Sequence, residues 1–362
     1  MRSTSHRPLL PSAKRGVPFR HGVAAVVAFV ALIAGCNPPV GPATIPPDAT
    51  GSILPAVTGT PLPSPSAETS YPLTLLDDDG TMVEIPSEPQ KIVSLTPATT
   101  EILYAIGASD RLVAKVEDPA NYPPEAAELP VVGTFNGVDV EKIVGLNADL
   151  VIAGGSGGTQ PEAIQKLRSL KIPVLVVYAV DVDAVFKDIE LTGEAVGAGG
   201  AAKDLAASMR AGFDQVARAT SSLDKPRVFY ETGESGDVFG VADHSFVASM
   251  IELAGAEVIT TGSSTNWQMS IERLVDNDPE IIVLGDAAYG VTPDAVKKRP
   301  GWAGLTAVKR NAIEPVDDII VTRPGPRLLD GLRSLVGVIH PEADLPEASG
   351  AASASPAASG EG

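Results

Sequence analysis

Read for the spacing of its apolar positions, the chain repeats itself. Val140 to Gly154 runs Val-Glu-Lys-Ile-Val-Gly-Leu-Asn-Ala-Asp-Leu-Val-Ile-Ala-Gly, and Ile271 to Gly285 runs Ile-Glu-Arg-Leu-Val-Asp-Asn-Asp-Pro-Glu-Ile-Ile-Val-Leu-Gly. The two align without a gap at an offset of 131 residues, so that Glu141 matches Glu272. Each reads as a short helix with Ile143/Val144 or Leu274/Val275 turned inward, a polar corner, and an apolar strand ending at glycine. Continuous apolar runs such as Leu150–Ala153 and Ile281–Leu284 suit parallel strands covered on both faces. One helix-to-strand unit used twice predicts an α/β protein of two similar lobes with a site between them.

The remaining pattern fills in each lobe. Leu73–Leu76 and Thr81–Ile85 flank Asp77-Asp78-Asp79-Gly80 and read as a hairpin with a solvated acidic turn. Strands are expected at Lys91–Leu95, Leu112–Val116, Val131–Gly133 and Val174–Tyr178, with helices at Thr100–Ile106 and Pro161–Leu170. Asp181–Leu223 is helical in pattern, broken at Gly197-Ala198-Gly199-Gly200. Its second part, Ala201–Ser222, would be a strut about 33 Å long. The second lobe restarts with strand Arg227–Glu231, then a Gly-rich stretch Thr232–Gly240, helix Ser245–Leu253, the loop Gly262–Gln268 and a helix near Thr292–Lys298. Strand Ala312–Val316 and helix Leu329–Ile339 close it. The expected divisions are residues 71–180 for the N-terminal lobe, 181–223 for the helical connection and 224–341 for the C-terminal lobe.

The ends change the picture. The first 35 residues carry five basic side chains and no acid, followed by the uncharged run Gly22–Gly35. At ~1.5 Å per residue that run is too short to span ~30 Å of hydrocarbon, and it reads as the core of a secretory leader. Leu32-Ile33-Ala34-Gly35-Cys36 resembles the lipobox of bacterial lipoproteins, which implies cleavage before Cys36 and a lipid on its thiol, holding the protein on the outer face of the cell membrane. Residues 36–70 are a Pro/Ser/Thr-rich tether, and residues 342–362 a low-complexity tail without the means to build a core. Without the leader, 22 basic residues face 45 acidic ones, a surface that repels phosphate backbones, so nucleic acid is not an expected partner.

The order of parts resembles the substrate-binding proteins of cobalamin and ferric-siderophore ABC importers. The matching segments include Lys91–Gly107 (KIVSLTPATTEILYAIG), Asn121–Glu125 (NYPPE), both repeats, Gly301–Val308 (GWAGLTAV) and Arg323–Asp330 (RPGPRLLD). The resemblance implies two Rossmann-like α/β lobes joined by a long α-helix, a metal chelate such as cobalamin in the cleft between them, and delivery to an ABC permease dimer with its ATPase subunits. No cofactor and no catalytic residue is implied. The Tyr-Pro-Pro and Arg-Pro-Gly-Pro-Arg-Leu elements look most like the cobalamin branch. Where cobalamin binders often carry an aromatic before Tyr-Pro-Pro, this chain has Glu117-Asp118-Pro119-Ala120.

Ligands of parallel sheets sit beyond the carboxyl ends of the strands. That rule places Thr96, Pro97, Tyr122, Phe135 and Asn136 on one wall, and Trp267, Tyr289 and Arg323 on the other. Phe135 and Trp267 fall just before each repeat, where family members offer rings to a flat macrocycle; either could also be ordinary packing. Arg323 is placed to hold an anionic ligand group, whereas Arg327 suits a structural ion pair. The family's glutamates matching Glu141 and Glu272 dock each lobe onto permease arginines, and two exposed carboxylates suit a two-fold symmetric partner; they also suit the starts of helices.

Two rival readings use other residues. Gly154-Gly155-Ser156-Gly157-Gly158 matches the nucleophile elbow of α/β hydrolases, with His340 downstream. Gly157–Gln160 intervene before the helix at Pro161, however, and a loop presenting backbone N–H groups to a ligand accounts better for the glycines. A zinc or manganese receptor needs several converging His or carboxylates, and beyond the leader only His244 and His340 remain. No resident metal is expected.

Overall fold

The computed structural model describes residues 69–345, apart from residues 135, 156, 157 and 236. The leader, Cys36, nearly all of the tether, Phe135, Ser156 and the tail from Glu347 lie outside the described residues.

The first half opens with an antiparallel hairpin of β1 (Leu73–Leu76) and β2 (Met82–Ile85). There follow β3 (Ile92–Ser94), α1 (Pro97–Ala105), β4 (Leu112–Val116), β5 (Val131–Thr134), β6 (Gly137–Val138), α2 (Val140–Gly145), β7 (Leu150–Gly154), α3 (Pro161–Ser169) and β8 (Val174–Val177). They build one sheet in the order β6-β5-β4-β3-β7-β8, parallel except for β6. Every residue of the central strand β7 is buried, and so is every residue of the edge strand β8, which the hairpin covers.

Two helices then cross to the second half, α4 (Val182–Ala195) and α5 (Gly199–Thr220). Asp181 caps α4 by accepting from Ala184 N at 2.8 Å, and Gly197 at φ +73° ends it. The 22 residues of α5 span about 33 Å. The Phe186 ring on α4 meets the Phe213 ring on α5 edge-on at 5.6 Å. These helices and the last helix, Leu328–Ile339, share one apolar core that reaches both sheets.

The second half contains β9 (Arg227–Glu231), β10 (Gly233–Ser235), β11 (Asp237–Phe239), α6 (Phe246–Leu253), β12 (Glu257–Val258), β13 (Gln268–Met269), α7 (Ile271–Asn277) and β14 (Ile281–Leu284). After them come α8 (Pro293–Val296), α9 (Thr306–Arg310), β15 (Ile313–Pro315), α10 (Asp318–Thr322) and α11 (Leu328–Ile339). A parallel sheet runs β12-β9-β14-β15, and an antiparallel one β10-β11-β13. The Gly-rich stretch Thr232–Gly240, for which the pattern gave no element, makes most of this small sheet. Its strands are only two or three residues long, below the reach of an alternation pattern.

Leaving out β5 and β6 on one side, the two parallel sheets have the same order: β4-β3-β7-β8 corresponds to β12-β9-β14-β15. The duplicated sequence occupies equivalent places and makes equivalent bonds. Asp139 caps α2 through Lys142 N at 3.0 Å, and Ser270 caps α7 through Arg273 N at 3.2 Å. Asn147 and Asp278 both turn into the left-handed region at the polar corner, with φ of 54° and 41°. Asp149 then accepts from Lys91 N at 2.8 Å, and Glu280 from Arg227 N at 3.2 Å, so each corner ties its strand to the neighbour's start.

Two expectations need correction. Ile143 and Leu274 do face the sheets, at 0% exposure, but Val144 and Val275 are each 42% exposed. A residue one step along a helix is turned about 100° away, and helices of six and seven residues offer the sheet only a narrow stripe. The acidic turn is also not solvated throughout. Asp77 is buried, with Oδ2 2.6 Å from Arg168 Nη2 and accepting from Val176 N, which straps the hairpin to the edge of the first sheet. No helix of the described residues is long and apolar enough to cross a membrane.

Candidate functional site

A cavity of about 270 Å3 opens beyond the carboxyl ends of β3, β7 and β8. Thr96 and Pro97 line it at the start of α1, Gly154 and Gly158 at the end of β7, and Tyr178 after β8. Arg323 and Pro324 close it from the second half. The lining is mostly apolar, as small-molecule sites generally are.

Local chemistry fixes this wall. Thr96 caps α1, its Oγ1 accepting from Thr99 N at 3.1 Å, and Pro97 takes the first helical position. The hydroxyls of Ser94, Thr99 and Thr100 continue the bonding beneath. A Cβ on Gly154 would lie 2.7 Å from the Thr96 methyl, and one on Gly155 2.7 Å from Cβ of Tyr178. Glycine at both places is therefore what lets Thr96 and Tyr178 close on the loop. Tyr178 itself remains 45% exposed.

The two halves are braced beside the cavity by four charges. Arg323 donates from Nη1 to Glu101 Oε1 at 2.6 Å and to Asp118 Oδ2 at 3.0 Å, and from Nη2 to Asp118 Oδ1 at 2.7 Å. Arg327 donates to both oxygens of Glu101, at 3.0 and 2.8 Å, and lies 3.8 Å over the Tyr122 ring. Glu101 and Asp118 come from the first half and are buried. Burial alone would raise the Asp118 carboxyl, but the bonds and charge of Arg323 hold it below the usual carboxylate range. Arg323 thus stands at the cavity with its charge already compensated by protein. Arg327 makes the structural ion pair expected of it.

One acid in the wall makes no ion pair among the described residues. Asp188 of α4 is buried, lines the cavity, and faces the carboxyl of Asp78 in the hairpin turn. Burial first, then the charge of Asp78, pushes Asp188 up to about 8, so near neutral pH it carries a proton that it shares with Asp78. Asp78 Oδ2 also accepts from Tyr178 N at 2.6 Å, tying this pair to the exposed ring.

The second sheet repeats the theme. Glu231, fully buried at the end of β9, receives two bonds of 2.7 Å from Arg299. It also meets Asp286, which follows β14, is buried, and has among the other described residues no donor apart from the Glu231 carboxyl. Two carboxyls can hydrogen-bond only if one is protonated. Burial and Asp286 push Glu231 up to about 7 against the pull of Arg299. Tyr230 donates to Asp318 Oδ1 at 2.6 Å, a core role.

Of the residues expected at the ligand, Thr96, Pro97 and Arg323 come together in the cavity, and Tyr122 joins through Arg327. Asn136, at the tip of the β5–β6 hairpin, Trp267, ahead of β13, and Tyr289, after β14, stand outside it, all exposed. Tyr178 and Asp188 were not singled out from sequence. Neither has a local signal, since Tyr178 matters through Gly155 and Asp188 through Asp78. His340 is buried with Nε2 3.1 Å from Gly255 O, in a recess with Ser222 and Arg310 rather than in the cavity beside Gly154. Among the described residues no group of three or more His, Cys, Asp or Glu is placed to hold a metal ion.

Comparison with known proteins bears on this geometry. The family model described as periplasmic binding protein matches residues 92–317. An uncharacterized ABC transporter substrate-binding lipoprotein of Bacillus subtilis, YvrC, is 37% identical over 278 residues, covering 75% of this chain and 87% of the relative. The crystal structure of the periplasmic vitamin B12 binding protein BtuF of Vibrio cholerae superposes with a TM-score of 0.62 at 28% identity, covering 70% of this chain and 98% of that one. The periplasmic heme-binding protein RhuT of Roseiflexus gives a TM-score of 0.61 at 25% identity, covering 70% and 98%. With two lobes of duplicated topology, a bridging helix and a cavity at the strand ends, this chain belongs to the periplasmic binding protein family.

Proposed function

We propose that this chain is the extracellular solute-binding lipoprotein of an ABC importer, anchored through Cys36, and that it captures a corrinoid such as cobalamin and delivers it to the permease without bond chemistry. The observation that carries the reading is the cavity beyond β3, β7 and β8, closed from the second half by Arg323 and Pro324. A volume of about 270 Å3 takes an edge or side arm of a large chelate rather than the whole. Trp267 and Tyr289, 43% and 88% exposed, one ahead of β13 and one after β14, supply ring surface for the remainder. The likeness to BtuF supports a corrinoid, and the likeness to RhuT supports haem as the second reading within the same fold.

Delivery is assigned to Glu141 and Glu272. Both are exposed, in the first turns of α2 and α7, and neither makes a hydrogen bond or ion pair among the described residues. Charge reversal at both, Glu141→Arg with Glu272→Arg, is expected to abolish uptake while leaving the affinity of the purified protein for its ligand within about twofold. An equal loss of both would contradict the docking role.

A further inference from the structure

The internal duplication carries one inference more, which rests on the importer reading. A buried side chain present in both copies of a repeat needs no special account, because each copy fills a similar core; Ile143 and Leu274 are of this kind. Exposed positions have no such constraint and are free to diverge, as where Gly145 stands in one copy and Asp276 in the other. Yet Val144 and Val275 are both valine, both at 42% exposure, and three residues beyond Glu141 and Glu272. Residues three apart share a helix face. Each lobe thus presents a carboxylate and an apolar side chain side by side, on equivalent helices of sheets with the same strand order. The matched basic neighbours are drawn aside, Lys142 towards Asp139 at 3.8 Å and Arg273 onto Thr260 O at 3.2 Å.

We infer that the exposed faces of α2 and α7 form one docking surface used twice, with Val144 and Val275 as its apolar centres, and that the partner is a two-fold symmetric permease offering each an apolar recess beside a basic side chain. Charge alone steers and orients a partner but loses much of its strength to salt, whereas a valine leaving water adds a contact that salt does not screen. Two identical contacts on one rigid protein multiply rather than add.

The test compares Val144→Glu, Val275→Glu and the double variant for binding to the permease–ATPase assembly in lipid nanodiscs, with Val→Thr at both positions as a near-isosteric control for folding. Each single change is expected to weaken the complex by roughly tenfold, the two by similar factors, and the double by about their product. Val→Thr should give a smaller loss in the same pattern, and thermal unfolding should be unchanged in all. Wild-type affinity from the valine variants, with the Glu141→Arg/Glu272→Arg protein failing to dock, overturns this inference and leaves the importer reading standing. So does a loss confined to one lobe. Full affinity from both sets overturns the importer docking itself.

Discussion

Arg323 reaches across 205 residues of chain to grip Asp118, Nη2 to Oδ1 at 2.7 Å. The bond joins the loop before the last helix to the end of β4, and so holds the two halves at the edge of the cavity. It also answers what replaces the aromatic often found ahead of Tyr-Pro-Pro in cobalamin binders: here an acid takes that stretch and is used for bracing.

Removing the guanidinium leaves the buried carboxylate of Asp118 without its basic partner, while Glu101 keeps both bonds from Arg327. Arg323→Met is therefore expected to cost about 3–5 kcal/mol, read as a lowered midpoint in urea unfolding. Asp118, held below its ordinary range, contributes stability that is present above the unfolded pKa and lost as pH falls through the folded one. The variant should accordingly lose less stability than wild type on acidification below about pH 4.

Asp188 gives the opposite slope. Its folded pKa is about 8, while an unfolded Asp titrates near ~4. Between those values the folded chain holds a proton the unfolded chain has lost, so this contribution is complete below the unfolded value and declines as pH rises through the folded one. Asp188→Asn, neutral at every pH, should flatten the fall in melting temperature between about pH 5 and pH 8. A residual decline up to about pH 7 is expected from Glu231.

Gly155→Ala puts a methyl 2.7 Å from the Tyr178 Cβ and must displace that side chain. The expected result is at least a tenfold loss of ligand affinity, with a change in melting temperature of only a few degrees, because the loop is at the mouth rather than in the core. Tyr178→Ala should reproduce the affinity loss, and the double variant should add little to it.

The duplicated fold was legible because the repeat carries its own bonds: caps at Asp139 and Ser270, corners at Asn147 and Asp278, and stitches at Asp149 and Glu280 all lie within a few residues of the apolar pattern. The site was legible only where it follows the strand ends, as at Thr96 and Pro97. The pairing of Arg323 with Asp118, the meeting of Asp188 with Asp78, and the burial of Asp77 by Arg168 join residues far apart in the chain. No periodicity encodes such contacts. The outward turn of Val144 and Val275 was missed for a different reason: two apolar residues in a row look equally inward, and only the helix phase separates them.

The most direct test is a titration of intrinsic tryptophan fluorescence with cyanocobalamin, with haemin and ferric siderophores run in parallel. Trp267, 43% exposed ahead of β13, is expected to be quenched on binding, whereas Trp302 is buried in the core beneath Arg299. The account predicts saturable quenching by cyanocobalamin at one site per chain, abolished in Trp267→Phe, with the other chelates weaker. Saturation by haemin alone would move the ligand to the second reading; the absence of saturable quenching with every chelate, together with an unshifted melting temperature, would contradict the account.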